Sequence, residues 1–162
     1  MYLFFFIVPS WSKETKKAGK DCYTELRKRE QIMKEVWQFI KECGVYYLAT
    51  VDGDEPKVRP FGTAEIFEDK LYIQTGKKKD CFKQIEKNPN VELCCFKDGK
   101  WLRLKGKLVN DDRVEAKKDM LDKNPNLRGM YDENDDNTAV LYFTDAVATF
   151  SSFTEAPREI RF

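Results

Sequence analysis

Two Asp-Gly pairs, Asp52-Gly53 and Asp98-Gly99, each stand between runs of β-branched and aromatic residues. A pair of this kind between alternating apolar runs is the strongest short-range signal of a β-hairpin, because the tight turn needs residues that tolerate positive φ. The first, lengthened by Asp54-Glu55-Pro56, returns Val45–Val51 (VYYLATV) into the run that starts at Lys57. The second joins Val91–Lys97 (VELCCFK) to Lys100–Val109 (KWLRLKGKLV). In that last run Leu102, Leu104, Gly106 and Leu108 share the inner face, and Trp101, Arg103, Lys105 and Lys107 share the outer one. A tryptophan on a polar face is either the rim of a ligand or partner surface or an ordinary exposed aromatic.

The other segments fill in around these hairpins. From about Asp21 to Cys43 the residues Ile32, Met33, Val36, Trp37, Ile40 and Cys43 follow helical spacing, and Gly44 ends the helix. Residues 57–68 (KVRPFGTAEIFE) read as one strand. Lys57, Arg59, Phe61, Thr63, Glu65 and Phe67 lie on one face, with Val58, Pro60, Gly62, Ala64 and Ile66 on the other. Pro60 cannot donate to a ladder and Gly62 permits close approach to the backbone, so this strand suits an edge or bulge. Glu68-Asp69-Lys70 turns the chain into strand Leu71–Thr75, and a helix carrying Cys81, Phe82 and Ile85 inward runs to Asn88-Pro89. Asp111–Lys123 reads as a charged helix anchored by Val114, Met120 and Leu121. Thr138–Phe143 and Ala146–Phe153 read as a last hairpin through Thr144-Asp145, and Arg158–Phe162 as either a short edge strand or a frayed end. The fold class is mainly β: six or seven short antiparallel strands in a small closed or split barrel with flanking helices.

Composition narrows the chemistry. With 162 residues and 41% hydrophobic content the chain suits one globular domain. It has no histidine, which removes histidine acid–base catalysis, Ser-His or Cys-His nucleophile pairs, and histidine-ligated haem or zinc. Its five cysteines, Cys22, Cys43, Cys81, Cys94 and Cys95, show no C-x-x-C spacing, so reduced thiols in a cytoplasmic protein are expected. Cys94 and Cys95, as strand neighbours, should face opposite sides. Net charge is +1, yet residues 1–32 carry seven Lys/Arg against four Asp/Glu, leaving 22 against 24 over the remainder. That mildly acidic body argues against nucleic-acid binding. Tyr2–Val8 is apolar but far shorter than a membrane span, and Ser10–Lys20 reads as linker. Residues 1–32 are therefore expected to be an appended extension, either linker or partly helical, and Met33 to open a domain over 33–162. The acidic run after Asn124 lacks the glycine and closing glutamate of an EF-hand loop.

The stretch Leu71–Ile85 (LYIQTGKKKDCFKQI) passes from strand to helix through Gly76 and Lys77, Lys78 and Lys79. A helix N-terminus with lysines beside it is either a solvated turn or a phosphate site. Thr75 and Lys79 are best placed for the phosphate, and Lys77 reads as solvent-facing. Asp80 conflicts with that reading, because as N-cap it would set its own carboxylate on the helix amides.

Taken together, VYYLATVDGDEPKVRPFG, then LYIQTGKKKDCFKQIEKNPNVELCCF, then WLRLKGKL resemble the pyridoxamine 5'-phosphate oxidase-like proteins, the FMN-binding split barrels, and in particular their short bacterial members. The resemblance covers Met33–Phe162. It implies FMN bound at the interface of a homodimer. Arg59 takes the place of the arginine that contacts the FMN phosphate, and Pro60, Phe61 and Gly62 that of the backbone along the isoalloxazine ring. Gln74 and Thr75 correspond to the strand-end pair near the phosphate and ribityl chain. Lys79, with Lys78, stands for the basic group that follows, and Trp101 for a residue that the partner subunit presents to the flavin. The resemblance further implies an oxidoreductase acting on a small molecule with a small-molecule electron donor. Its alternatives are a flavin-binding module or sensor without turnover, and a relative that binds a deazaflavin. The oxidases proper carry a C-terminal arginine–histidine signature for vitamin B6 phosphates. This chain has no histidine and ends Glu159-Ile160-Arg161-Phe162, so oxidation of those substrates is not expected.

Overall fold

The computed structural model describes residues 13–162, and side chains within the first helix only at Thr24 and from Arg27 onward. Tyr2–Val8 and the Cys22 side chain fall outside the described residues. The long helix α1 (Lys13–Cys43) starts within the stretch expected to be linker and continues unbroken past Met33. The segment has no proline between Pro9 and Pro56, so nothing in its chemistry interrupts the helix. Met33, Val36 and Ile40 are buried on its inner face, and Trp37 Nε1 donates to the Ala64 carbonyl at 2.9 Å. None of the described helices is long and apolar enough to cross a membrane.

Eight strands follow: β1 (Tyr46–Asp52), β2 (Glu55–Phe61), β3 (Glu65–Phe67), β4 (Lys70–Gly76), β5 (Asn90–Lys97), β6 (Lys100–Asp111), β7 (Thr138–Ser152) and β8 (Arg158–Arg161). The helices α2 (Asp80–Lys87) and α3 (Val114–Lys123) and a 3-10 turn (Pro125–Gly129) occupy the crossovers. All pairings are antiparallel, in the order β2-β1-β5-β6-β7-β4-β3, with β8 on the far end of β7. This is a split barrel with flanking helices. Its core holds Leu48, Leu71, Ile73, Leu93, Leu102, Leu104 and Leu141, all fully buried. Both Asp-Gly hairpins form. Asp98 and Gly99 take φ of 49° and 76° between the paired Lys97 and Lys100, as the primed two-residue turn requires.

Two strand expectations are corrected. Residues 57–68 are not one strand: the ladder with β1 ends at Phe61, Gly62–Ala64 cross a gap, and β3 pairs with β4 instead. The crossing is held from outside, by Trp37 on the Ala64 carbonyl and by the Tyr46 hydroxyl on the Thr63 carbonyl at 2.7 Å. Conversely, Thr144-Asp145 is not a hairpin turn, and β7 runs through it as one strand. Asp145 has φ 50° and sits where the β6–β7 register slips between Lys105 and Lys107, a bulge that bends β7 from its pairing with β4 toward β8. Gly106 permits the bulge, since a Cβ there would lie 2.9 Å from the Thr144 carbonyl oxygen.

Three smaller expectations also change. Asp111 ends β6 rather than opening α3, and Val114 is 44% exposed while Ala116 is buried in its stead. Lys77 does not simply face water but pairs with Asp112 at 2.6 Å. Cys94 is exposed and Cys95 buried, as strand alternation requires.

Candidate cofactor site

The sheet order leaves β2 and β3 as free edges, and the seam between them holds a cavity of about 320 Å³. From β2 and the crossing segment come Arg59, Pro60, Phe61, Gly62 and Thr63; from the β4 end come Gln74 and Thr75; from the entry to α2 come Lys79 and Cys81. Asn124, Asn126 and Leu127 close the far side. Seven of the nine residues singled out in the sequence thus line one cavity. Lys78 and Trp101 do not. The Lys78 amide donates to Asn137, and Trp101 lies on β6 opposite Phe96, its ring 5.3 Å from that of Phe153.

Arg59 is preorganised. Its Nη1 donates to the Thr50 hydroxyl at 2.6 Å and its Nη2 to the Gln84 side-chain oxygen at 2.8 Å. The Thr50 hydroxyl donates in turn to that Gln84 oxygen at 2.6 Å, and the Gln84 amide donates to Asp52. Thr50 and Gln84 are both buried, so the fork is fixed by groups that cannot exchange it freely for water. Two residues beyond Arg59, Phe61 stacks on Tyr46 with ring centroids 5.7 Å apart, which anchors the end of the strand.

Thr75 is 2% exposed, and its hydroxyl has no hydrogen-bond partner among the described residues. A buried hydroxyl without a partner costs on the order of 1–3 kcal/mol, so it marks a place where a ligand oxygen would be welcome. The N-terminus of α2 lies close by in the chain. Its N-cap is Lys79, no side chain caps its first amides, and Asp80 points away, 84% exposed and paired with Lys83. The expected obstruction by Asp80 therefore does not arise: the chain turns one residue earlier, with the Lys79 amide donating to the Gly76 carbonyl at 3.0 Å. The Lys79 ammonium lies 5.8 Å from the Tyr131 ring centroid.

Sequence reading missed Thr63, Cys81, Asn124, Asn126 and Leu127 as cavity residues. Asn124 is placed by Glu65, whose Oε1 accepts both the Asn124 amide at 3.0 Å and the Lys41 ammonium at 2.8 Å, so α1, β3 and the end of α3 meet on one buried carboxylate. Burial pushes the Cys81 thiol pKa up, while the charges of Arg59 and Lys79 pull it back. The described residues contain no cluster of three or more His, Cys, Asp or Glu able to hold a metal.

The outer face of the β2-β1-β5-β6 half-sheet is unusually apolar. Val58, Tyr47 and Phe96 are more than half exposed there, and Trp101 and Phe153 continue the strip.

The family model for pyridoxamine 5'-phosphate oxidase matches residues 32–127. A NimC/NimA family protein from Clostridium acetobutylicum is 43% identical, with a TM-score of 0.81, covering 86% of this chain and 98% of its own. General Stress Protein 26 from Bacillus anthracis shares the fold at 20% identity and TM-score 0.64, covering 80% of this chain and 98% of its own. A heme binding protein from Mycobacterium smegmatis does so at 10% identity and TM-score 0.58, covering 75% and 57%. Among curated proteins, none matches.

Proposed function

Because the chain belongs to the pyridoxamine 5'-phosphate oxidase family, we propose that it is an FMN-binding flavoprotein that works as a homodimer and transfers electrons to or from a small molecule. The observation that carries this reading is the meeting of Arg59, Lys79 and the unpartnered Thr75 hydroxyl on one seam cavity. A phosphate dianion calls for charge-assisted donors, and these three supply a guanidinium, an ammonium and a buried hydroxyl. Phe61 and Gly62 would run along a flat ring, and Pro60 keeps that edge free of a competing amide. When bound, FMN would supply the redox chemistry, so no side chain needs to act as a catalytic acid or base. This agrees with the absence of histidine, which also leaves a haem iron without its commonest ligand.

The cavity alone is small for the whole cofactor, and the exposed strip of Val58, Tyr47, Phe96 and Trp101 suits a second copy of the chain that would bring Trp101 over the ring. Lys78, the exposed residue just before the α2 N-cap, would offer its ammonium to the same phosphate. Vitamin B6 phosphates are not proposed as substrates.

Anaerobic mixing of the FMN-loaded protein with a reduced nicotinamide cofactor tests turnover. Bleaching of the flavin bands followed by reoxidation with an added acceptor supports an oxidoreductase; bands that persist indicate a binding module. Preference for a deazaflavin over FMN in a direct titration would shift the cofactor but keep the site.

A further inference from the structure

Cys81 is 6% exposed and, among the described cysteines, it alone lines the seam cavity. Three groups on the same cavity point to an anionic guest beside it: the Arg59 guanidinium, the Lys79 ammonium and the buried Thr75 hydroxyl with no partner. Cys95 is as deeply buried but is not part of this lining. A core thiol normally serves only as a small apolar group. Cys81 differs because one side of it packs into the core while the other meets a space large enough for a small molecule.

We propose that Cys81 is a thiol-modification site gated by the cavity: a small disulfide reaches it only when the anion site is empty, and the adduct then excludes the anion. The proposal rests on the anion-binding reading of this cavity and adds its regulation. In the reaction, the Cys81 thiolate attacks one sulfur of the disulfide. A protein–S–S bond forms, the reagent's own S–S bond breaks, and its other half leaves as a thiolate. The thiol proton goes to solvent; the protein sulfur is oxidised and the reagent reduced, with no further oxidant. Burial slows the step by disfavouring the thiolate, and the positive charges of Arg59 and Lys79 offset part of that. An adduct in a cavity of about 320 Å³ fills space that the phosphate end of a ligand requires. Linkage makes the exclusion mutual: whatever factor the ligand imposes on adduct formation, the adduct imposes on ligand affinity.

The test treats the full chain with 5,5'-dithiobis(2-nitrobenzoate) alone, with saturating FMN and with high inorganic phosphate, and maps the adducts by peptide mass spectrometry. The expected result is Cys81 modification slowed at least tenfold by FMN or by phosphate. FMN affinity should fall at least tenfold in the treated wild type and recover with dithiothreitol, whereas treatment should leave the affinity of Cys81→Ser where it was before treatment. No adduct at Cys81 in the ligand-free protein, or one forming equally fast with both ligands, overturns the proposal. So does equal loss of affinity in treated wild type and treated Cys81→Ser. Flavin fluorescence with untreated protein reports the cofactor reading separately: protection by phosphate without flavin binding sustains the gate and removes the flavin.

Discussion

The guanidinium of Arg59 donates to the side-chain oxygen of Gln84 at 2.8 Å, joining the free edge of β2 to the buried face of α2. The contact fixes where Arg59 carries its charge, and it lies on the protein side of the site.

Gln84→Leu should therefore act on ligand binding without touching a ligand. It removes an acceptor shared by Arg59 and Thr50 and leaves both donors short of a partner. A lost hydrogen bond to a charged group is worth about 1.5–3 kcal/mol. The expected outcome is a stability loss of about that size in urea unfolding, with FMN affinity weakened about tenfold or more. Undiminished affinity would mean that Arg59 does not need Gln84 to meet its ligand.

Gly106→Val should be costly although the residue is remote from the cavity. The new Cβ would lie 2.9 Å from the Thr144 carbonyl oxygen and 3.2 Å from the Phe143 ring, so backbone must shift at the β7 bulge. Overpacking of this kind costs about 1–3 kcal/mol. The expected reading is a Tm lower by several degrees in calorimetry. A Tm equal to wild type would contradict the packed bulge.

Much of the sheet was legible in the sequence, and the failures have physical causes. The hairpin at Asp98-Gly99 was readable because its turn chemistry is local. Asp145 uses the same left-handed conformation for a bulge, and flanking apolar runs look alike in both cases; only the partner Gly106 on β6 distinguishes them. The break after Phe61 is invisible to period-two patterning because Trp37 and Tyr46, distant in the chain, hold it. In the site, the β2 and β4 residues share a local strand signature. Asn124, Asn126 and Leu127 arrive from a segment some fifty residues later, Asn124 held there by Glu65, and carry no local signal at all.

Acid should weaken the fold partly through Asp111. Its carboxylate accepts the Arg113 guanidinium and the Tyr72 hydroxyl, both at 2.8 Å, and the Arg113 bond is the main reason its pKa is held down at about 2. A folded pKa below the unfolded value of about 3.9 means stability that is fully present above that value and is lost as pH falls toward 2. Asp111→Asn should cost on the order of 2 kcal/mol at pH 7, with the gap to wild type narrowed to less than half of that near pH 2.5. Urea unfolding at the two pH values checks this; a gap independent of pH would contradict it.

Phe96→Glu places a charge in the middle of the exposed strip beside Trp101 and should dissociate the proposed dimer. Sedimentation is expected to give a dimer for wild type and a monomer for the variant, with flavin affinity falling in step. A variant that stays dimeric would place the interface elsewhere.

The most direct measurement is an FMN titration of wild type and of the Arg59→Ala, Lys79→Ala double variant, followed by flavin fluorescence and visible absorbance. The predicted result is saturable binding of one FMN per chain by wild type, and an affinity about a hundredfold or more weaker in the double variant, since each charged contact contributes about 1.5–3 kcal/mol. A wild-type protein that stays colourless after reconstitution, or a double variant that binds FMN as well as wild type does, would contradict a phosphate site built on Arg59, Thr75 and Lys79.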